Sequence, residues 1–537
     1  MPTTNLTDRP VEAFDENEPL GLSRYATALR DFVQDCETPI TIGIQGDWGV
    51  GKTSLLNMVR DQLADKKYGT RIYPVIYFNT WQYAQLDQED HLTIAMLNDI
   101  VQRIQELNSA PPSAKEKAGA ILKSVGNMAA NLGNQVVKNK TGADVKEGID
   151  AAFSNGASTP AFLHVMHLMV EYKQQFHELV EAFMEDKHPD SRLVIMIDDL
   201  DRIRPERALD LLSSVKNFLD VPHCVFVLAV DYSVIQRGVQ AKMGAAERRQ
   251  HGKSYFDKII QVPFNMPVSS YRVDRYIMSL LGWTADANGK YKRTPVDIDD
   301  IYFKSHSSIE AQEAKEIENL TRLTVGKNPR SIKRAVNYFS LLKRVFDQNN
   351  GPAKARKRRL PPNKKWQTLY LQLLFGLSCF QLAYPEVFDL FIQNPTPQRL
   401  QEFSEWSNVS ELSAIKQIAD RVDDIEDVKT NITGFFDQFR TILDADDDWE
   451  ISVQEFQPVW DVIRYANLAG DAVGRADNTW EEIGAMVQEF AAEANLPEEH
   501  SDRLMRCIQM VEHSAWNNPL HLKARNGGLH FFNLFWD

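Results

Sequence analysis

Short runs rich in apolar residues recur through the first half of the chain, interleaved with stretches that carry apolar residues at three- and four-residue steps. The runs are Ile40–Ile44, Arg71–Asn79 (RIYPVIYFN), Leu193–Asp198 (LVIMID), Cys224–Asp231 (CVFVLAVD) and Tyr255–Phe264 (YFDKIIQVPF). These runs predict strands, and the continuous ones ending at Asp198 and Asp231 predict strands buried within the sheet. The stepped stretches, over 20–33, 53–63, 91–107, 161–184 and 206–219, predict helices. Strand and helix alternating in this way indicate an α/β fold with a mostly parallel sheet. From Tyr271 onward the pattern is helical, which predicts an all-α C-terminal region. The most apolar stretch there, Tyr370–Tyr384, is interrupted by Gln372 and Gln381 and is too short to span a bilayer, so it reads as a buried helix.

At 537 residues the chain is long enough for two or three domains. The pattern divides it into a polar, loosely ordered lead-in over 1–19, a core over 20–84 and 191–268, a helical insertion over 85–190, a helical lid over 269–350, a linker over 351–365 and a C-terminal domain over 366–537. Within the insertion, 110–158 is rich in Ala, Gly, Asn and Lys and reads as a mobile or weakly helical arm. His164, Met166, His167 and Met169 fall at helical spacing and read as helix core and surface. The net charge of −14 argues against a protein coated in nucleic acid, though a local basic patch is compatible with it. The segment AKARKRRLPPNKK (353–365) is such a patch, with seven Lys or Arg in thirteen positions. It reads either as a solvated interdomain linker or as a contact for a phosphate backbone through 354–365. The four cysteines have no paired spacing, and no apolar signal core precedes residue 20; both fit a cytoplasmic protein without membrane attachment.

Candidate chemistry enters at the end of the first run. Gly46-Asp47-Trp48-Gly49-Val50-Gly51-Lys52-Thr53 fits G-x-x-x-x-G-K-[ST] at every fixed position, and Ser54 continues into a helix. A polyphosphate needs many donors converging from one concave surface. Glycines let successive N–H groups turn inward, and the following helix adds its free N–H groups and the positive end of its dipole. On this scaffold Lys52 would reach the β- and γ-phosphates and the Thr53 hydroxyl would hold Mg²⁺.

The 193–198 run ends in Asp198-Asp199-Leu200-Asp201-Arg202. An acid at a strand tip can bind Mg²⁺ and its neighbour can polarise an attacking water, roles that suit Asp198 and Asp199 respectively. Asp201 and Arg202 read as a salt bridge with each other or with the next helix, or, for Arg202, as a catalytic contact. Asp231 is either a sensor of the γ-phosphate or a helix cap. Asn79 could orient a water or a phosphate, with Trp81 and Tyr83 as packing residues beside it. Arg24 and Tyr25 lie on a helix that either covers a base or packs on the sheet. Arg330, Lys333, Arg334 and Asn337 share one side of a helix and form either a basic end reaching the triphosphate or a solvated face.

The phosphate loop, FNTWQY, LVIMIDDLDR, VFVLAVD, YFDKIIQVPF and NPRSIKRAVNYF stand in this order over about residues 15–345, and in that respect the chain resembles the KAP family of P-loop NTPases. The resemblance implies an additional-strand P-loop core with a helical insertion between the two Walker motifs, and ATP and Mg²⁺ as ligands. For the site residues it implies the roles given above for Lys52, Thr53, Asp198 and Asp199, with 46–54 around the phosphates, Lys52 and Asp199 in catalysis and Thr53 and Asp198 on the metal. Read from the basic helix side, the arginine that completes the catalytic site is Arg330 or Arg334 of the same chain, or comes from a neighbouring subunit. Many members carry membrane helices in the insertion, whereas nothing between Ala84 and Asp190 is apolar enough for one. The function implied is ATP hydrolysis coupled to conformational or assembly change, as a homo-oligomer or with a protein effector, in anti-phage defence. A nucleotide-gated scaffold with little turnover and a nucleic-acid-dependent ATPase are the alternatives.

Overall fold

The computed structural model describes residues 6–65, 67, 73–84, 92–123, 160–185, 187, 190–218, 221–243, 256–286, 290–293, 308–348, 366–406, 425–444, 448–466, 521–525 and 528–532. The basic run 354–365 and most of the expected arm lie outside the described residues, as do the side chains of His164, Met166, His167 and Met169. The described residues fall into two compact units, one formed by 6–279 with 327–333 and the other by 280–326 with 334–537.

The first unit is built on strands β1 (Ile40–Gln45), β2 (Val75–Asn79), β3 (Leu193–Asp198), β4 (Cys224–Val230) and β5 (Val262–Asn265). They lie in the order β2-β3-β4-β1-β5, and every neighbouring pair is parallel. Every residue of β3 and β4 is buried, as continuous apolar runs require of strands covered on both faces. β4 stands between the strand that feeds the glycine loop and the strand that ends in acids, the additional-strand arrangement of an α/β P-loop fold. The 255–264 run divides into helix and strand: 256–259 is helical and only the alternating Val262–Asn265 joins the sheet.

Helices α1 (Ser23–Asp35) and α2 (Lys52–Ala64) pack against each other. The insertion packs into the sheet's own core: Met96, Ile100, Phe176 and Phe183 join Phe78, Ile195 and Ile197 in one buried cluster. Residues 112–123 of the expected arm are helical and bury Ala114, Ala118 and Ile121 in that cluster. The lead-in is also held. Val11 N–H donates to Ser54 Oγ at 3.1 Å, Asn57 Nδ2 donates to Val11 O at 2.9 Å, and Phe14 N–H donates to Asp61 Oδ2 at 2.9 Å. The buried Glu18 carboxylate accepts from Leu20 and Leu22 N–H. A polar segment with few apolar residues can still be fixed when α2 offers side chains to its backbone, which composition does not reveal.

The second unit is mainly helical. Its division differs from the expected lid and C-terminal domain, because 280–326 and 334–348 belong with the later helices. Phe339 meets Phe375 and Phe346 meets Tyr370 edge-on or tilted, and Asn319 Nδ2 donates to Gln438 Oε1 at 2.9 Å. The apolar stretch expected to be a buried helix is Trp366–Ala383, with Leu373, Phe375, Leu377 and Phe380 fully buried. No helix among the described residues is long and apolar enough to cross a membrane. Two additions break the helical pattern. Trp283–Ala285, Tyr291–Arg293 and Ser308–Ile309 form a small antiparallel sheet, and His521–Arg525 pairs antiparallel with Gly528–Phe532. The intervening Asn526-Gly527 is the dipeptide most favoured in two-residue hairpin loops, a signal that the helical reading passed over.

Candidate functional site

The glycine loop joins β1 to α2 and lines a cavity of about 730 Å³, within the size range of small-ligand sites. Gly49 and Gly51 adopt φ of +83° and +104°, which only glycine reaches without strain. A Cβ on Gly49 would also stand 2.8 Å from Asn328 Oδ1 and 2.9 Å from Arg330 Cβ. Gly51 caps α2 without a side chain, so the first N–H groups of the helix face outward over Lys52, Thr53 and Ser54, all three of which line the cavity. The loop is braced from outside. Asn328 Nδ2 donates to Trp48 O at 2.8 Å and the Tyr271 hydroxyl donates to Val50 O at 2.7 Å.

The acids at the tip of β3 reach the same cavity as the loop. Lys52 Nζ donates to Gly46 O at 2.8 Å and Asp47 O at 3.2 Å, and forms an ion pair with Asp201 Oδ2 at 2.8 Å; both side chains are over nine-tenths buried. Asp198 accepts from Asp199 N–H at 2.8 Å and from the Tyr77 hydroxyl at 2.6 Å. Asp199 has φ 59°, a left-handed conformation that short polar residues tolerate. Its carboxylate accepts from Asn79 Nδ2 at 2.8 Å and pairs with Arg202 Nε at 2.8 Å. Burial and the neighbouring Asp198 raise the Asp199 carboxyl above the ordinary range, against the opposing pull of Arg202 and Asn79. Burial, and then Asp198, push the Tyr77 phenol well up as well, so it remains a donor.

Several expected residues take other positions or partners. Asp201 and Arg202 do not pair with each other: Asp201 holds Lys52, and Arg202 holds Asp199 while lying 4.6 Å from the Trp81 ring centre. Asp231 acts as a cap, accepting Ser233 N–H at 2.8 Å, and is not among the cavity's lining residues. Tyr25 packs edge-to-face on Phe264, with Arg24 over its ring, as the sheet-packing alternative required. Of the basic helix side, Arg330 and Lys333 line the cavity and Arg334 and Asn337 do not. Arg330 stacks 4.2 Å from the Trp48 ring centre and pairs with Asp8, and Lys333 donates to Arg9 O at 3.0 Å. The side chain of Tyr83 lies outside the described ones.

Tyr77, Asn328, Tyr271 and the 8–18 segment are the parts of the site that the sequence pattern did not single out, and Asp201 was read with a different partner. Tyr77 alone carried a usable signal, standing two residues before Asn79 and therefore on the same strand face. Among the described residues no three His, Cys, Asp or Glu side chains converge as a metal-ligand cluster. The Thr53 hydroxyl and the Asp198 carboxylate, the two donors expected on the metal, are hard oxygens of the kind that suit Mg²⁺ completed by phosphates and water.

Residues 22–346 match the family described as KAP family P-loop domain, which is more than half of the chain. The chain is also 25% identical over 237 residues to the phage T7 exclusion protein of Escherichia coli (strain K12), a match covering 43% of this chain and 30% of that protein.

Proposed function

Because the chain belongs to the KAP family of P-loop NTPases, we propose that it is a Mg²⁺-dependent ATPase whose hydrolysis cycle drives a conformational or assembly change. The observation carrying this reading is that the glycine loop with Lys52 and the two acids ending β3 line one cavity. In this reading the loop N–H groups of 46–54 and the Lys52 ammonium bind and neutralise the phosphates, after Lys52 leaves Asp201. Thr53 and Asp198 hold Mg²⁺, which when bound offsets phosphate charge. Asp199 orients the attacking water, and its raised pKa suits it to share a proton. Arg330, already at the cavity, neutralises charge that develops on the γ-phosphate.

The name of the T7 exclusion relative supports placing this cycle in anti-phage defence, with a second copy of the chain or a protein effector as the part moved. A second reading, a nucleotide-gated scaffold with slow turnover, is favoured by one observation: Asn79 and Arg202 engage both Asp199 oxygens. Steady-state phosphate release separates the two. The enzyme reading expects turnover lost in Lys52→Ala and in Asp199→Asn, with ATP binding kept in the second. Tight ATP binding by the wild type without phosphate release would replace it with the scaffold.

A further inference from the structure

We propose that Tyr77 is a positioning residue for the metal-side acid: its hydroxyl holds the Asp198 carboxylate in one orientation, and the Mg²⁺ requirement of nucleotide binding depends on that bond. The inference rests on the ATP and Mg²⁺ reading above. β2 and β3 are parallel with Asn79 opposite Asp198, and the period of two puts Tyr77 on the same face of β2 as Asn79. From there the hydroxyl donates to Asp198 Oδ2 at 2.6 Å, while the backbone N–H of Asp199 donates to Oδ1 at 2.8 Å. With both oxygens engaged, the carboxylate cannot turn about its Cβ–Cγ bond without losing a hydrogen bond. Each oxygen still has a second lone pair to offer.

The phenol is itself fixed. Its ring lies under the Arg60 guanidinium of α2, 5.0 Å from centre to carbon, so the same helix that begins with Lys52 and Thr53 sets the height of the Tyr77 ring. A phenylalanine would keep this stacking and the strand's packing; the hydroxyl is needed only for Asp198. Groups that orient a metal-ligating side chain typically govern metal affinity by about 10–100-fold.

The test is calorimetric titration of ATP into the full-length chain over a series of Mg²⁺ concentrations and in EDTA, for wild type and Tyr77→Phe. The Mg²⁺ concentration giving half of the metal-dependent gain in ATP affinity is expected to rise about 10–100-fold in Tyr77→Phe, with affinity in EDTA unchanged. Tyr172→Phe removes another buried hydroxyl, bonded to Leu97 O at 3.1 Å, and is expected to leave both quantities as they are. An unchanged Mg²⁺ requirement in Tyr77→Phe overturns the role of Tyr77. Absence of any Mg²⁺-dependent ATP binding by the wild type overturns the underlying reading with it. If Tyr77→Phe also lowers stability, the pair is decided in an Asp198→Ala background. There Tyr77→Phe adds no further Mg²⁺ requirement if the phenol acts through Asp198, and an additive loss shows that it acts elsewhere.

Discussion

The Lys52 ammonium directs its donors at two loop carbonyls and at Asp201, an arrangement that must change for it to meet a phosphate. Asp201 is therefore a resident anion for the lysine. Removing it leaves a cation more than nine-tenths buried without its charge partner, and breaking such a pair typically costs about 3–5 kcal/mol. Asp201→Asn is expected to lower the melting temperature, and ATP with Mg²⁺ is expected to restore more of it than the same addition raises the wild type, because phosphate charge then replaces the lost carboxylate. Equal ATP-induced shifts in the two proteins would show that Lys52 keeps Asp201 on binding. Lys52, Asp198 and Asp199 were legible in the sequence because loop spacing and the end of an apolar run fix where they stand. Asp201 was not, since its neighbour Arg202 offered a nearer charge in sequence than a lysine 149 positions away. Tyr77 carried only the signal of standing two residues before Asn79, inside a run that otherwise reads as ordinary strand.

At the level of elements, the parallel sheet followed from the hydrophobic pattern because its central strands β3 and β4 are buried along their whole length, which leaves runs with almost no polar interruption. Helix ends moved by a few residues, and the largest differences arose where local pattern does not decide. The 8–18 segment looks unstructured by composition, yet Ser54, Asn57 and Asp61 of α2 bond its backbone. The short strands of 283–309 are too brief for a period-two signal to stand out. The second unit was legible only as helical, because its packing depends on aromatic partners far apart in sequence. Phe436 is fully buried, with ring centres of Phe380, Phe391 and Phe403 at 5.1, 5.0 and 4.9 Å. Phe436→Ala is expected to cost about 3–5 kcal/mol, the usual range for opening a cavity of this kind. Urea unfolding checks it, and a loss well below that range would mean that the neighbouring rings collapse into the space.

For the whole molecule, the helix Pro329–Gln348 is the element that bears on coupling, since its residues 329–333 belong to the first unit and its remainder to the second. Its first turn carries Arg330, which lines the cavity, stacks on Trp48 and pairs with Asp8. An anionic ligand that draws the guanidinium away from Asp8 acts on the first turn of this helix, and Phe339, Leu342 and Phe346 further along it are buried. On the proposed ATP reading, a nucleotide biases this helix only by binding differently when Arg330 is held by Asp8 and when it is released from it. Hydrogen exchange over 334–348 and 366–383 is expected to slow when ATP and Mg²⁺ are added to the wild type, and to stay unchanged in Arg330→Ala at concentrations that saturate binding. If the slowing persists in Arg330→Ala, the signal enters the second unit by a route other than this helix end.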